Sequence, residues 1–123
     1  MIKLGFIGFG LIGASVAKSL KSKVPGKYDV IVYDYHTDDN PALNRALSDE
    51  VISEVTKELI GLKGCDIIFL CAPTLKNISY LEKLKSTFEE NGSALPLITD
   101  VGSVKGNIVD AACNLGLGSH FIG

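Results

Sequence analysis

The feature that most restricts the fold is a glycine-rich turn, GFGLIG at residues 8–13, directly after the apolar run Ile2–Ile7. The next segment, Leu11–Lys21, carries apolar residues at the spacing of a helix. An apolar run, a glycine turn and a helical pattern in this order predict a strand–turn–helix unit. Such a unit is typical of layered α/β domains.

Each glycine of the turn has a physical role in such a unit. Gly8 permits a tight turn out of the strand, Gly10 lets the backbone approach a pyrophosphate, and Gly13 lets the helix lie close to the strand. The free N–H groups and the partial positive charge of the helix N-terminus then face the phosphates. The turn therefore predicts a dinucleotide site, with these candidate cofactor-binding residues: Gly8, Phe9, Gly10, Leu11, Ile12 and Gly13.

Apolar runs alternate with helix-spaced segments along the rest of the chain. We expect further strands at Tyr28–Tyr33, Asp66–Cys71, Pro96–Thr99 and Ser119–Ile122, and helices at Pro41–Leu47, Ser53–Ile60, Thr74–Asn91 and Val104–Leu115. The strands are apolar almost throughout, as is typical of strands covered on both faces. The alternation predicts a single α/β domain of the Rossmann type with a doubly wound parallel sheet.

Length, charge and composition argue against several other classes of protein. A length of 123 residues fits one domain, and a net charge of −2 argues against nucleic acid or an anionic membrane as the main partner. No apolar run approaches the ~20 residues of a membrane span. Three cysteines without a CxxC spacing indicate reduced thiols in the cytoplasm. Neither His36 nor His120 has a second ligand nearby in sequence, so no metal site is expected.

An acidic residue at the end of the second strand supports the dinucleotide site. Asp34 lies 21 residues after Gly13, close to the ~20 residues typical of dinucleotide-binding units. Its carboxylate could accept hydrogen bonds from the ribose hydroxyls and would repel a 2′-phosphate, and no arginine follows before Arg45. We therefore expect NAD as the cofactor, and NADP less readily. The alternative is an exposed strand-end aspartate with no ligand.

The third strand ends at the same predicted edge of the sheet, where ligands bind in open α/β sheets. We expect Cys71, Ala72, Pro73 and Thr74 to border the cofactor. Thr74 either caps the following helix or contacts a ribose. Cys71 is expected to act as a small buried apolar residue.

The fourth strand leads into Asp100 and Ser103 at that edge. Asp100 is a candidate cofactor-binding residue beside the nicotinamide. Ser103 either caps the next helix or directs its hydroxyl at a substrate. Lys105 is a solvated lysine or a ligand.

The stretches IGFGLIGASVAKSLK, FLCAPT, ITDVGSVKG and HFIG together resemble the cofactor-binding half of prephenate dehydrogenase and its arogenate-using relatives. The glycine turn is shared with many oxidoreductases, whereas the DVGSVK stretch is much more specific. The resemblance implies NAD-dependent oxidative decarboxylation of prephenate, or of arogenate, in tyrosine biosynthesis. It also implies that Ser103 is catalytic, holding the substrate hydroxyl and orienting a histidine.

The resemblance also implies parts that this chain lacks. In the family, the catalytic histidine belongs to a Gly-Gly-His-Pro segment after the fifth strand, two positions beyond Gly123. His120 precedes Phe121 of that strand and is not expected to replace it. A helical second domain, used for dimerisation and substrate binding, is also missing. We therefore expect the chain to bind NAD without turnover and the full-length protein to be a homodimer.

Two alternatives remain from the sequence. Another dehydrogenase with an N-terminal glycine turn, such as a 3-hydroxyacid dehydrogenase or a pyrroline-carboxylate reductase relative, fits the first unit but fits residues 100–105 poorly. A non-catalytic NAD-sensing module would need the glycine turn and Asp34. Such a module would have no use for Ser103.

Overall fold

Six strands and four α-helices make up the computed structural model, which describes residues 2–8, 11–34, 41–72, 74–101 and 106–122. The strands are β1 (Ile2–Ile7), β2 (Tyr28–Tyr33), β3 (Glu54–Thr56), β4 (Ile67–Leu70), β5 (Leu97–Asp100) and β6 (Phe121–Ile122). The helices are α1 (Leu11–Lys23), α2 (Pro41–Ser48), α3 (Thr74–Glu90) and α4 (Gly106–Asn114), with a short 3-10 helix at Leu59–Leu62.

The strands form one sheet in the order β3-β2-β1-β4-β5-β6, and every neighbouring pair is parallel. From β1 the chain first builds outward through β2 and β3, and then returns to add β4, β5 and β6 on the other side. The strand order therefore reverses between β1 and β4, the position at which doubly wound sheets bind their ligands. The predicted Rossmann-type fold is confirmed.

Two apolar cores, one on each face of the sheet, follow from the alternation of side chains along the strands. Phe6 of β1 packs with Ala17 of α1 and Leu43 of α2, and its ring stacks on Phe69 with centroids 4.9 Å apart. The neighbouring Ile7 packs on the other face, in a core shared with α3 and α4. Strands covered on both faces have few polar positions, which explains their near-continuous apolar sequence.

The expectation of a helix at Ser53–Ile60 is wrong. Residues 54–56 form β3, and the 3-10 helix begins at Leu59. Pairing with β2 decides the outcome: the Ser53 N–H donates to the Val30 carbonyl at 2.8 Å, and the Asp34 N–H donates to the Thr56 carbonyl at 3.0 Å. The sheet consequently has six strands where the sequence indicated five.

The other predicted elements are present with small shifts at their ends. Helix α1 continues to Lys23, two residues beyond its predicted end, and β5 begins one residue later than expected, at Leu97. Helix α4 begins at Gly106, and residues 102–105, where its start was predicted, lie outside the described ranges. Among the helices of the described ranges, none combines the length and the apolar character needed to cross a membrane.

Candidate functional site

The ends of four parallel strands bring together the described residues that the sequence singled out. Because the strands are parallel, their carboxyl ends share one side of the sheet, here called the carboxyl edge. It carries Gly8 after β1, Asp34 after β2, Cys71 and Ala72 after β4, and Asp100 at the end of β5. Helices α1 and α3 begin at the same edge, so their N-terminal ends face the site as well.

The turns after β1 and β4 are in direct backbone contact at the point where the strand order reverses. Gly8 has a φ of 77°, a conformation that residues with a Cβ rarely adopt. A Cβ at this position would lie 3.2 Å from the Ala72 nitrogen and 3.4 Å from the Cys71 carbonyl carbon. The Cys71 N–H also donates to the Ile7 carbonyl at 2.9 Å. A glycine is therefore required here on two independent grounds.

Part of the glycine turn lies within the described residues. Helix α1 begins at Leu11, directly after the turn, and Gly13 is buried within its first helical turn. Phe9 and Gly10 lie outside the described residues, as do the side chains of Leu11 and Ile12.

Asn77, a residue that the sequence analysis did not single out, holds the turn after β4. Its side chain is completely buried. The Ala72 N–H donates to its Oδ1 at 3.1 Å, and its Nδ2 donates to the Leu70 carbonyl at 3.4 Å. The sequence does carry a signal for this role, because Asn77 continues the buried stripe of Leu81, Leu84 and Phe88 on α3. A polar residue on the apolar face of a helix needs hydrogen-bond partners when it is buried.

The Leu70 carbonyl also connects the turn after β4 to the turn after β5. It accepts a second hydrogen bond from the Val101 N–H at 3.2 Å. Asp100 pairs in register with Leu70 and is only 5% exposed. The bond from Val101, the first residue after β5, ties that residue to the end of β4. Ser103 itself, like Lys105, is outside the described part of the chain.

The position of Asp34 depends on β3, the strand that the sequence did not predict. Asp34 is half-buried, and its backbone is tied to β3 by the bond to the Thr56 carbonyl. The preceding Tyr33 meets Tyr80 of α3 edge to face, with ring centroids 5.8 Å apart. The end of β2 is thus held between β3 and α3.

Burial makes the cysteine of the site unreactive. Loss of solvation raises the pKa of the Cys71 thiol from 9.0 to about 12, and the negative charge of Asp100 adds to the effect. Burial likewise raises the pKa of Cys65 to about 11. The thiolate is the nucleophilic form of cysteine, so both residues are protonated and inert at neutral pH. Cys71 is partly buried and packs against the core that contains Phe6, whereas the sequence predicted a small, fully buried apolar residue.

The raised pKa of Cys71 predicts a loss of stability at alkaline pH. Below pH 9.0 the thiol is protonated in both the folded and the unfolded chain and contributes nothing. Above it the unfolded thiol ionises while the folded one does not, so the free energy of unfolding falls as pH rises. Between about pH 8 and pH 10 the free energy of unfolding, measured in urea, should fall by roughly 1 kcal/mol less in Cys71→Ala than in the wild type. Cys113→Ala, which removes an exposed thiol, should keep the wild-type pH dependence; an identical pH dependence in Cys71→Ala would contradict the assignment.

Two of the remaining predicted residues belong to the turn between β4 and α3. Pro73 lies outside the described residues. Helix α3 begins at Thr74, whose side chain is not among those described. Both predicted roles of this side chain, capping the helix or contacting a ribose, stay predictions.

A parallel sheet in this strand order, with a glycine turn at the reversal point, defines a nucleotide-binding α/β domain of the Rossmann type. The profile of one family, described as the nucleotide-binding domain of prephenate dehydrogenase, matches residues 16–123. The chain belongs to this family. The match begins after Gly13, so it does not depend on the glycine turn that many oxidoreductases share.

Two relatives carry the name prephenate dehydrogenase. That of Lactococcus lactis subsp. cremoris is 34% identical over 125 residues, covering 100% of this chain and 33% of the relative. That of Bacillus subtilis is 35% identical over 106 residues, covering 85% of this chain and 27% of the relative. The chain thus spans about a third of the length of these relatives.

Solved structures of the same family share the fold. Prephenate dehydrogenase from Aquifex aeolicus superposes with a TM-score of 0.75 at 29% identity, over 96% of this chain and 40% of that one. Arogenate dehydrogenase from Synechocystis gives a TM-score of 0.72 at 30% identity, over 93% of this chain and 37% of that one. A lactate dehydrogenase from Cryptosporidium parvum, at 15% identity and a TM-score of 0.67, shares the fold alone.

Proposed function

We propose that this chain is the NAD-binding domain of a cytoplasmic prephenate dehydrogenase that serves tyrosine biosynthesis. The observation that carries the cofactor part of the proposal is the packing of Gly8 against Ala72 at the reversal point of the sheet. Membership of the family supports the reaction, the oxidative decarboxylation of prephenate to 4-hydroxyphenylpyruvate. Arogenate is the alternative substrate, because the similar structure from Synechocystis is an arogenate dehydrogenase.

The described residues fit a dinucleotide at the carboxyl edge. A side chain at Gly8 would fill the space between the turns after β1 and β4, and α1 begins just beyond, with its free N–H groups at hand. The residues that would hold the pyrophosphate are Gly8, Phe9, Gly10, Leu11, Ile12 and Gly13. Asp34 would accept hydrogen bonds from the adenosine ribose, which favours NAD over NADP. Cys71, Ala72, Pro73 and Thr74 would border the cofactor, and Asp100 would lie toward its nicotinamide end.

The main task of this domain in the reaction is to position the cofactor and the substrate. NAD, when bound, supplies the hydride acceptor. Loss of CO2 is driven by formation of the aromatic ring, so the protein must mainly position the reactants and remove the hydroxyl proton. We assign Ser103 to holding that hydroxyl and orienting the histidine that takes the proton. The histidine and the dimer contacts of the whole enzyme are assigned to the part of the family's length that this chain does not span.

A chimera tests catalysis, in which this chain is joined to the remaining two thirds of the Lactococcus lactis relative. We expect the chimera to form NADH from NAD and prephenate, and the isolated chain to form none. Ser103→Ala in the chimera should lower kcat by roughly tenfold to a hundredfold, the effect of losing one hydrogen bond in a dry site, with the KM for NAD nearly unchanged.

Ser103→Ala also separates the enzyme from a non-catalytic NAD sensor. A sensor needs the glycine turn and Asp34 but no hydroxyl near the nicotinamide. An active chimera whose kcat is the same with serine and with alanine at position 103 would remove Ser103 from the mechanism.

A further inference from the structure

We propose that Asn77 is a positioning residue for the cofactor, holding the turn after β4 in the arrangement that the dinucleotide contacts. The inference rests on the proposed function, because it concerns the same carboxyl edge. It adds a residue that reaches the cofactor only through the backbone of its neighbours.

The geometry of Asn77 serves the backbone of the site. Its side chain is 0% exposed, and both ends of its amide are used. The oxygen accepts from the Ala72 N–H at 3.1 Å, while the nitrogen donates to the Leu70 carbonyl at 3.4 Å. The two backbone groups belong to the last residue of β4 and to the second residue after it. The amide therefore spans the bend at which the chain leaves the sheet.

Only a primary amide of this length meets both demands. A leucine would fill a similar volume, but the Ala72 N–H would lose its acceptor and the Leu70 carbonyl would lose one of its two donors. A carboxylate could accept from Ala72 but would face the Leu70 carbonyl with no donor. A polar residue buried on the apolar face of α3 is unfavourable unless both groups are paired. Its presence is explained by the bend that it supports.

The contacts of the bend extend to three of the strand ends that form the site. Ala72 packs against Gly8 after β1, where a Cβ would lie only 3.2 Å from the Ala72 nitrogen. The Leu70 carbonyl also accepts from Val101, the residue that follows β5. A shift of the bend is therefore transmitted to the glycine turn on one side and to the chain approaching Ser103 on the other.

Asn77→Leu tests the proposal in the 123-residue chain. We expect NADH, titrated by its fluorescence, to bind about tenfold more weakly, as expected from the loss of buried hydrogen bonds. In the ligand-free chain, hydrogen exchange of the Ala72 amide should accelerate relative to amides in the core of α3. Asn77→Ser, which adds no bulk, should show the same two changes and covers the case in which leucine does not fold.

Two variants, one within α3 and one at the residue directly after it, serve as controls. Leu84→Val removes one methylene from a side chain that is 0% exposed and reproduces a general loss of stability away from the bend. Asn91→Ala removes an amide that donates to the Thr87 carbonyl at 2.7 Å, at the opposite end of the helix. Both should keep the wild-type affinity for NADH and the wild-type exchange of Ala72.

The outcomes separate this inference from the proposed function. A wild-type chain that does not bind NADH overturns the proposed function and the cofactor role of Asn77 with it. Wild-type binding with an unchanged affinity in both Asn77 variants overturns the role of Asn77 alone. A loss of affinity that Leu84→Val reproduces at equal stability also overturns it, because the effect would then be one of folding.

Discussion

Gly8→Ala is expected to weaken NADH binding to this chain by at least about a hundredfold, which corresponds to ~2.7 kcal/mol. Two effects combine at this position. The φ of 77° is unfavourable for alanine by about 1–2 kcal/mol. The new Cβ would also press on the Ala72 nitrogen at 3.2 Å and on the Cys71 carbonyl carbon at 3.4 Å. Both are backbone atoms, which cannot rotate away as a side chain would, so the turns after β1 and β4 must separate.

Gly26→Ala is the matched control for the first of these effects. Gly26 has a φ of 76°, but a Cβ there would have no heavy atom within 4 Å. Both variants should therefore lose free energy of unfolding from backbone strain, measured by urea denaturation, and Gly8→Ala should lose more because of its added contact with Ala72. Only Gly8→Ala should lose the binding of NADH, measured by fluorescence titration. Equal affinity in the two variants would show that the contact with Ala72 has no part in the site.

The glycine turn and the main strands could be predicted because their signals are local. An apolar run such as Ile2–Ile7 buries both faces and needs no partner to be recognised, and the glycines mark where the chain must turn. The strand β3 could not be predicted in this way. Residues 54–56 are too short for their period to distinguish a strand from a helix. Pairing with β2, through Val30 and Asp34, decides between them.

The role of Asn77 escaped prediction for a related reason. Its partners, Leu70 and Ala72, are near in sequence, but they come within reach only when the chain bends from β4 into α3. From the sequence alone, an asparagine early in a helix is equally typical of a capping or a solvent-exposed residue. The buried stripe that it shares with Leu81 becomes informative once the bend is known.

The specific part of the identification came from residues 100–105, not from the glycine turn. The family match starts at residue 16, beyond the glycine turn, and covers residues 100–105 together with the rest of the chain. A glycine turn of this kind is common to many dinucleotide-binding enzymes, because it meets a general requirement of phosphate binding and not of one reaction. Residues 100–105 carry the more specific resemblance because the side chains that contact a substrate can differ between families that share one fold. The role of Ser103 within that stretch stays a prediction.

Asp34→Arg is expected to reverse the preference of the chain for the two nicotinamide cofactors. The wild type should bind NADH more tightly than NADPH, because the carboxylate accepts from the ribose hydroxyls and repels a 2′-phosphate. Arginine reverses the sign of that interaction. One unit charge beside a phosphate near the protein surface is worth up to ~4 kcal/mol, so reversing the charge at residue 34 should change the ratio of the two dissociation constants by at least about a thousandfold.

Asp34→Asn and Asp66→Asn show whether that effect belongs to one carboxylate at one edge of the sheet. Asp34→Asn removes the charge and keeps the shape of the side chain. Its ratio of the two dissociation constants should lie between those of the wild type and Asp34→Arg. The second removes the same charge at the opposite edge, where Asp66 accepts from the Lys3 N–H at 2.9 Å, and should leave the preference unchanged. Because Asp34 is tied to β3 through its backbone N–H, none of these changes removes the bond that fixes its position. An unaltered ratio in Asp34→Arg would therefore mean that the adenosine ribose does not lie at the end of β2, and the cofactor orientation proposed for this domain would have to be abandoned.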